Sequence, residues 1–466
     1  MMRFKVDYLS GMRTLLFLLL AGLIGHTAGA TPYFNVRFSR PLAVHLFVQQ
    51  LSGNGRPGNS FQKLYTGSRF DTPERAAALT DLDSLQLDYT YEFPQYPELS
   101  KIPMQTRDLL QRNLLLSADL TDFKQRSTGL LPKLDLARLV RTLELFAPVY
   151  DTLVYAPLEA QFNQQLQACT QALHRPVVVD FFRKMSVFHG QSDSGTDTFQ
   201  VAFYPLPKSR QFRATAFADC SVSALPEGER DYEMLLSVTL HEMAHILYDE
   251  QPITLKEQLQ AAFRKNPVPG AWNAYLLLNE AQATALGNGA AFLALTGELD
   301  AGSWYNNKYR NEMAKAIYPT VAEYLAQNKT IDSAFVADYC RLYASKFPQW
   351  ENEAAHLFTN RFLIASSDAD AALFSQQFPV TAQSYTMTPV TPAGLEKMRS
   401  STLTKILVLE AEKPAQLRQA EAYFPMLKKH PELRTKGFTK FRLADQSWLY
   451  VVLAKGSLRQ EVLQQL

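Results

Sequence analysis

The stretch Val238-Thr239-Leu240-His241-Glu242-Met243-Ala244-His245-Ile246-Leu247 constrains this 466-residue chain more than any other. Between Leu235 and Leu247 the only charged residue is Glu242, and there is no proline. Leu236, Leu240, Met243 and Leu247 recur at i, i+4, i+7 and i+11, the rhythm of a buried helix face. On such a helix His241 and His245 project from one face, one turn apart. Two imidazole nitrogens so placed can meet one Zn²⁺ at about 2.0–2.1 Å each. Glu242 is rotated by roughly 100° from His241. It lies beside such a metal, placed to take a proton from bound water. Burying two histidines and a glutamate without partners is costly, which favours a metal over a core helix that merely carries these letters.

A zinc hydrolase needs three protein ligands and an open position. The best third ligand is Glu280, in Leu276-Leu277-Leu278-Asn279-Glu280-Ala281-Gln282-Ala283-Thr284-Ala285. Leucines precede it and alanines follow it, so few faces of this helical stretch are left for solvent. Residues 246–279 leave room for a helix, a turn and an antiparallel return helix. Gly287-Asn288-Gly289 reads as the end of the Glu280 helix.

His241-Glu242-x-x-His245 with the later Asn279-Glu280-x-x-Ala283 resembles the gluzincin zinc metallopeptidases, the second element resembling the glutamate helix of their aminopeptidase branch. The resemblance covers roughly residues 176–325. It implies that His241, His245 and Glu280 bind Zn²⁺ and that Glu242 is the general base. The sequence departs from the pattern in three ways. The gap between the two elements is longer than in the best-known gluzincins. The Gly-x-Met-Glu-Asn element that captures a substrate amino terminus is missing, so exopeptidase action is unsupported. Thr284 stands where thermolysin-like enzymes carry an Asp, which leaves the partner that orients each histidine unassigned.

Residues 1–30 read as a secretory leader: Arg3, Lys5 and Arg13, an apolar core from Thr14 to Ile24, then Ala28-Gly29-Ala30. The apolar core is short of the ~20 residues of a membrane span. The expectation is an exported chain, periplasmic or secreted, that meets a membrane only transiently; an uncleaved anchor is the alternative. Cys169, Cys220 and Cys340 are an odd number for an exported protein and lack zinc-site spacing. They read as buried small hydrophobes. A net charge of +2 argues neither for nucleic acid nor for a strongly acidic partner, and with no nucleic-acid motif in the chain none is expected.

The expected fold class is α+β. Residues 31–175 form a mostly helical region, 176–345 a zincin-like catalytic domain with a small mixed sheet, 346–394 a helical connector, and 395–466 a small α/β module. His45 and His174 read as surface or capping residues. Pro176-Val177-Val178-Val179-Asp180 reads as a short strand, and His189–Gly195 as a polar turn. Thr198–Pro205 reads as a strand with Arg213–Ala218 its antiparallel neighbour. Residues 199–204 are the expected edge, where a peptide or protein substrate pairs by β-addition. Asp249, one turn past His245, reads as a solvated acid at the helix end. The developing oxyanion needs a donor besides the metal; Tyr305 and Tyr309 are the candidates, with His356 and Tyr343 behind them. The function expected is hydrolysis of peptide bonds. The alternatives are an envelope binding or scaffold protein that holds zinc without catalysis, and a zinc hydrolase acting on a non-peptide bond.

Overall fold

The computed structural model describes residues 33–464, apart from 54, 56, 98–99, 192–197, 210–212, 435–436, 457 and 459. The leader and residues 192–195 of the expected polar turn lie outside the described residues. The fold is mixed α/β. Its strands are β1 (Phe34–Arg37), β2 (Thr90–Tyr91), β3 (Met104–Gln105), β4 (Phe199–Leu206), β5 (Ala214–Phe217), β6 (Cys220–Pro226), β7 (Asn360–Ala365), β8 (Gln383–Met387), β9 (Thr404–Glu410), β10 (Phe438–Arg442) and β11 (Trp448–Ala454). Among the described residues no helix is long and apolar enough to cross a membrane.

The first sheet has the order β1-β4-β6-β5. β1, β4 and β6 run parallel, and β5 closes the sheet as an antiparallel edge. Alternate residues of the two central strands face two different layers, as the period of two dictates. Ala202, Leu206, Val222 and Ala224 pack with Phe47, Phe146 and Tyr150 of the N-terminal helices. Val201, Phe203 and Leu225 pack with Leu236, Leu240 and Met243 of the helix Tyr232–Asp249. The sheet is therefore covered on both faces, and β1 ties the N-terminal region to the strands before the His-Glu helix.

Several expectations need correction. Residues 176–180 open a helix, Pro176–Phe188, not a strand. Pro176 suits its first position, and Val178, Phe181, Phe182 and Met185 are buried at helical spacing, which overrides the β preference of three valines. β4 is interior rather than an edge, because β1 and β6 flank it. Pro205 is tolerated there because β1 reaches only to Ala202. β5 pairs with β6, not with β4. His45 is neither exposed nor capping: it is buried in the N-terminal core, and neither ring nitrogen has a partner. His174 does cap: its Nδ1 lies 2.8 Å from Thr170 O and its Nε2 3.2 Å from Phe34 O, carbonyl oxygens that accept from the ring. All three cysteines are free and buried.

The 346–394 stretch is more than a helical connector. It contributes β7 and β8 to a second sheet of order β10-β11-β9-β7-β8. β7, β8, β9 and β11 run parallel, and β10 is the antiparallel edge. The C-terminal α/β unit therefore begins at Asn360.

Burial lowers the pKa of His45 to about 4 from its ordinary 6.5. The unfolded chain takes up this proton near 6.5 and the folded chain only near 4. The contribution to stability is thus full above pH 6.5 and lost as pH falls from 6.5 to 4, by on the order of 3 kcal/mol. His45→Leu is expected to flatten the fall of the thermal midpoint across that window. An unchanged pH profile would contradict this.

Candidate metal centre

The His-Glu helix, Tyr232–Asp249, starts where Asp231 accepts the Met234 N–H at 3.0 Å. Glu229 and Glu233 add negative charge at the positive end of its dipole. Ser223 of β6 and Thr239 share a hydroxyl–hydroxyl bond of 3.0 Å that fixes the helix against the sheet. Leu236, Leu240, Met243 and Leu247 are fully buried, as their spacing predicts. With that face committed to the core, His241, Glu242 and His245 line a cleft of about 670 Å³.

Glu280 reaches the same cleft from the helix Ala271–Thr284. This helix is not closed by Gly287-Asn288-Gly289. It continues through a π-helical turn, Ala285–Ala291, and a further α-helical turn to Gly297, which adopts φ 83°. The glycines serve close approach instead. A Cβ on Gly287 would stand 2.4 Å from Cβ and 2.6 Å from Cα of His241. One on Gly289 would meet the Tyr318 and Trp304 rings at 2.8 and 2.9 Å.

The two helices bring one ligand atom each from His241, His245 and Glu280 within 4.8 Å of one another. The facing Nε2 atoms of His241 and His245 are 3.1 Å apart. His245 Nδ1 lies 2.8 Å from Asn279 Oδ1, which can only accept. The proton therefore sits on Nδ1, and the Nε2 lone pair points at His241. Asn279 is the orienting partner that sequence spacing left unassigned for His245. His241 Nδ1 is buried with no hydrogen bond of good geometry, although Asn288 lies close to the ring.

The charges in this pocket separate by environment. Burial raises the pKa of Glu242, an effect His245 partly opposes. Burial also raises Glu280, but His245, Arg310 and His241 outweigh it and hold the carboxyl below its usual value. For His241 burial dominates, with His245 adding to it, and drives the ring down to about 3. For His245 burial is outweighed by Glu280, Glu242 and the Asn279 bond, which raise its pKa above the ordinary value.

β5 forms the wall opposite Glu280. Ala224 donates its N–H to Arg213 O at 2.8 Å. By the antiparallel alternation, Arg213, Thr215 and Phe217 bond to β6, while Ala214 and Ala216 turn their N–H and C=O groups outward. The Ala216 N–H reaches Glu242. Residues 101–104 and Phe93 roof the cleft, and Asn360 and Gln383 of the C-terminal unit complete it. The roof is held down by buried Lys256, which donates to Ser100 O, and by the 3.0 Å bond between Ser100 and Tyr275.

Of the remaining predicted residues, Tyr305 lines the cleft, its ring centroid 6.1 Å from that of His241. Tyr309 does not line it: it is buried, stacked on His356 at 3.7 Å, and His356 bonds Tyr343 at 2.8 Å. The N-cap at Asn307 explains this, because it turns successive side chains of the new helix in different directions. Asp249 lies in the cleft wall, half-buried, rather than in open solvent. Nothing in the sequence pattern marks Arg310; only its contact with Glu280 reveals it. The sequence matches no family model, no curated protein and no solved structure.

Gly287→Ala forces the two helices apart at His241. It is expected to cost roughly 1–3 kcal/mol, read as a lower unfolding midpoint. An alanine accepted with no loss would mean that the helices are not in contact there.

Proposed function

We propose that this chain is an exported zinc metallopeptidase of gluzincin type, with a zincin-like arrangement of mixed sheet and site helices. The observation that carries this reading is the convergence of His241, His245 and Glu280 within 4.8 Å beside Glu242. The donor set suits the ion. Two neutral imidazole nitrogens and a carboxylate are the usual company of catalytic zinc. Two Nε2 atoms 3.1 Å apart repel unless a proton or a cation lies between them. Glu280 Oε2 is buried without a hydrogen-bond partner, as a carboxylate kept for a cation would be.

A zinc ion held there supplies a Lewis acid for the scissile carbonyl and an acidified water. The chain supplies the rest. Glu242 is not needed to hold the ion. Its raised pKa suits a base that takes a proton from water and returns it to the leaving amine. Tyr305, which lines the cleft beside His241, supplies a hydroxyl for the oxyanion. The outward Ala214 N–H and the Ala214 and Ala216 C=O groups of β5 offer an extended peptide an edge to pair with, the role expected of 199–204.

Glu242→Gln is expected to keep zinc and the fold while lowering turnover by at least ~10²-fold. The measurement is metal content by elemental analysis, together with cleavage of a mixed-peptide set with and without chelator. Undiminished peptide hydrolysis by the variant removes Glu242 from the mechanism. Zinc bound by a wild-type chain that cleaves nothing favours a holding or scaffold role.

A further inference from the structure

Arg310 stands in the first turn of the helix Lys308–Ala326, where Asn307 accepts the N–H groups of Tyr309 and Arg310 at 3.1 and 3.2 Å. Its side chain is only 8% exposed. A guanidinium so enclosed needs acceptors and an anion. It finds both on the cleft side. Nη1 donates to the Tyr305 hydroxyl at 2.6 Å and lies 3.6 Å from Glu280 Oε2. The guanidinium carbon is 4.9 Å from the Tyr305 ring centroid. Tyr305 in turn interacts with the Glu280 carboxylate. The three side chains form a cluster, in which Tyr305 and Glu280 both lie beside His241.

The chemistry of the groups fixes the direction of each bond. Arginine has donors and no acceptor, so the Tyr305 oxygen must accept. The phenol then has one proton left to give. Glu280 or an oxygen in the cleft can take it. Without the guanidinium, the hydroxyl is free to turn. Glu280 Oε2, which has no hydrogen-bond partner, then loses the guanidinium 3.6 Å away.

We propose that Arg310 is a positioning residue, holding the Tyr305 hydroxyl and the Glu280 carboxylate as one unit, so that Glu280 faces the two histidines and the Tyr305 proton faces the cleft. This rests on the reading of His241, His245 and Glu280 as a metal centre. It gives Tyr305 both a partner and a role. Arg310 donates to the phenol oxygen and stands beside Glu280, so the guanidinium steadies the carboxylate and the one Tyr305 proton is left for an oxyanion in the cleft.

The test is zinc affinity, measured on the metal-free full chain by competition with a chromophoric chelator, for wild type, Arg310→Gln, Tyr305→Phe and the double variant. Arg310→Gln is expected to bind zinc about 10–100-fold more weakly. Because Arg310 acts partly through Tyr305, the double variant should lose less than the product of the two single losses. Arg310→Lys keeps the charge without the two-pronged fork. It should fall between wild type and Arg310→Gln, and it decides the matter if the Gln variant folds poorly. Equal zinc affinity in wild type and the Arg310 variants, or strictly multiplicative losses, overturns the role of Arg310 alone. A wild-type chain that takes up no zinc overturns the metal centre and this proposal with it.

Discussion

The site depends on one contact, the near backbone-to-backbone approach of the His-Glu helix at His241 to the helical run 271–296 at Gly287. A larger residue in place of Gly287 would separate the two axes. Glu280 lies seven residues before Gly287, close to two turns, and so sits on the same stripe of its helix. Setting Gly287 against His241 therefore aims Glu280 at the histidine face. The π-helical turn at 285–291 lets the run follow its neighbour past the site without breaking. Such turns recur where helices carry function.

Around that contact the protein gathers several ionisable groups in one cleft. Glu242 and Glu280 are both largely enclosed, yet their environments push them apart. Glu280 has two histidines and Arg310 near it and stays anionic; Glu242 has burial on its side and a single backbone donor from Ala216. Two carboxylates on neighbouring helices thereby become suited to different roles, one as a ligand and one as a base. Asn279 fixes the tautomer of His245, one residue before the carboxylate that completes the set. Glu280 and the residue that orients His245 thus come from a single helical turn.

Local signals in the sequence carry well where one principle acts alone. The His-Glu helix and the α/β character of residues 395–466 follow from such signals. The convergence of Glu280 with the two histidines is legible because an acid in so apolar a helix has few other uses. What sequence does not supply is set by tertiary pairing. β6, Cys-Ser-Val-Ser-Ala-Leu-Pro, is buried on both faces and shows no alternation, so the pattern points to β4 as the edge instead of β5. The three valines after Pro176 mimic a strand until Phe181, Phe182 and Met185 are seen to continue a helical face. Glycine has two uses, ending a helix and admitting a neighbour. At 287 and 289 only the partner helix and the rings of Trp304 and Tyr318 distinguish them.

The most direct test of the central claim is anomalous diffraction from crystals of the zinc-soaked protein, recorded on both sides of the zinc absorption edge. A single strong peak within coordination distance of His241 Nε2, His245 Nε2 and a Glu280 oxygen is the predicted result. A peak elsewhere, or none at this cluster with zinc in excess, would contradict it.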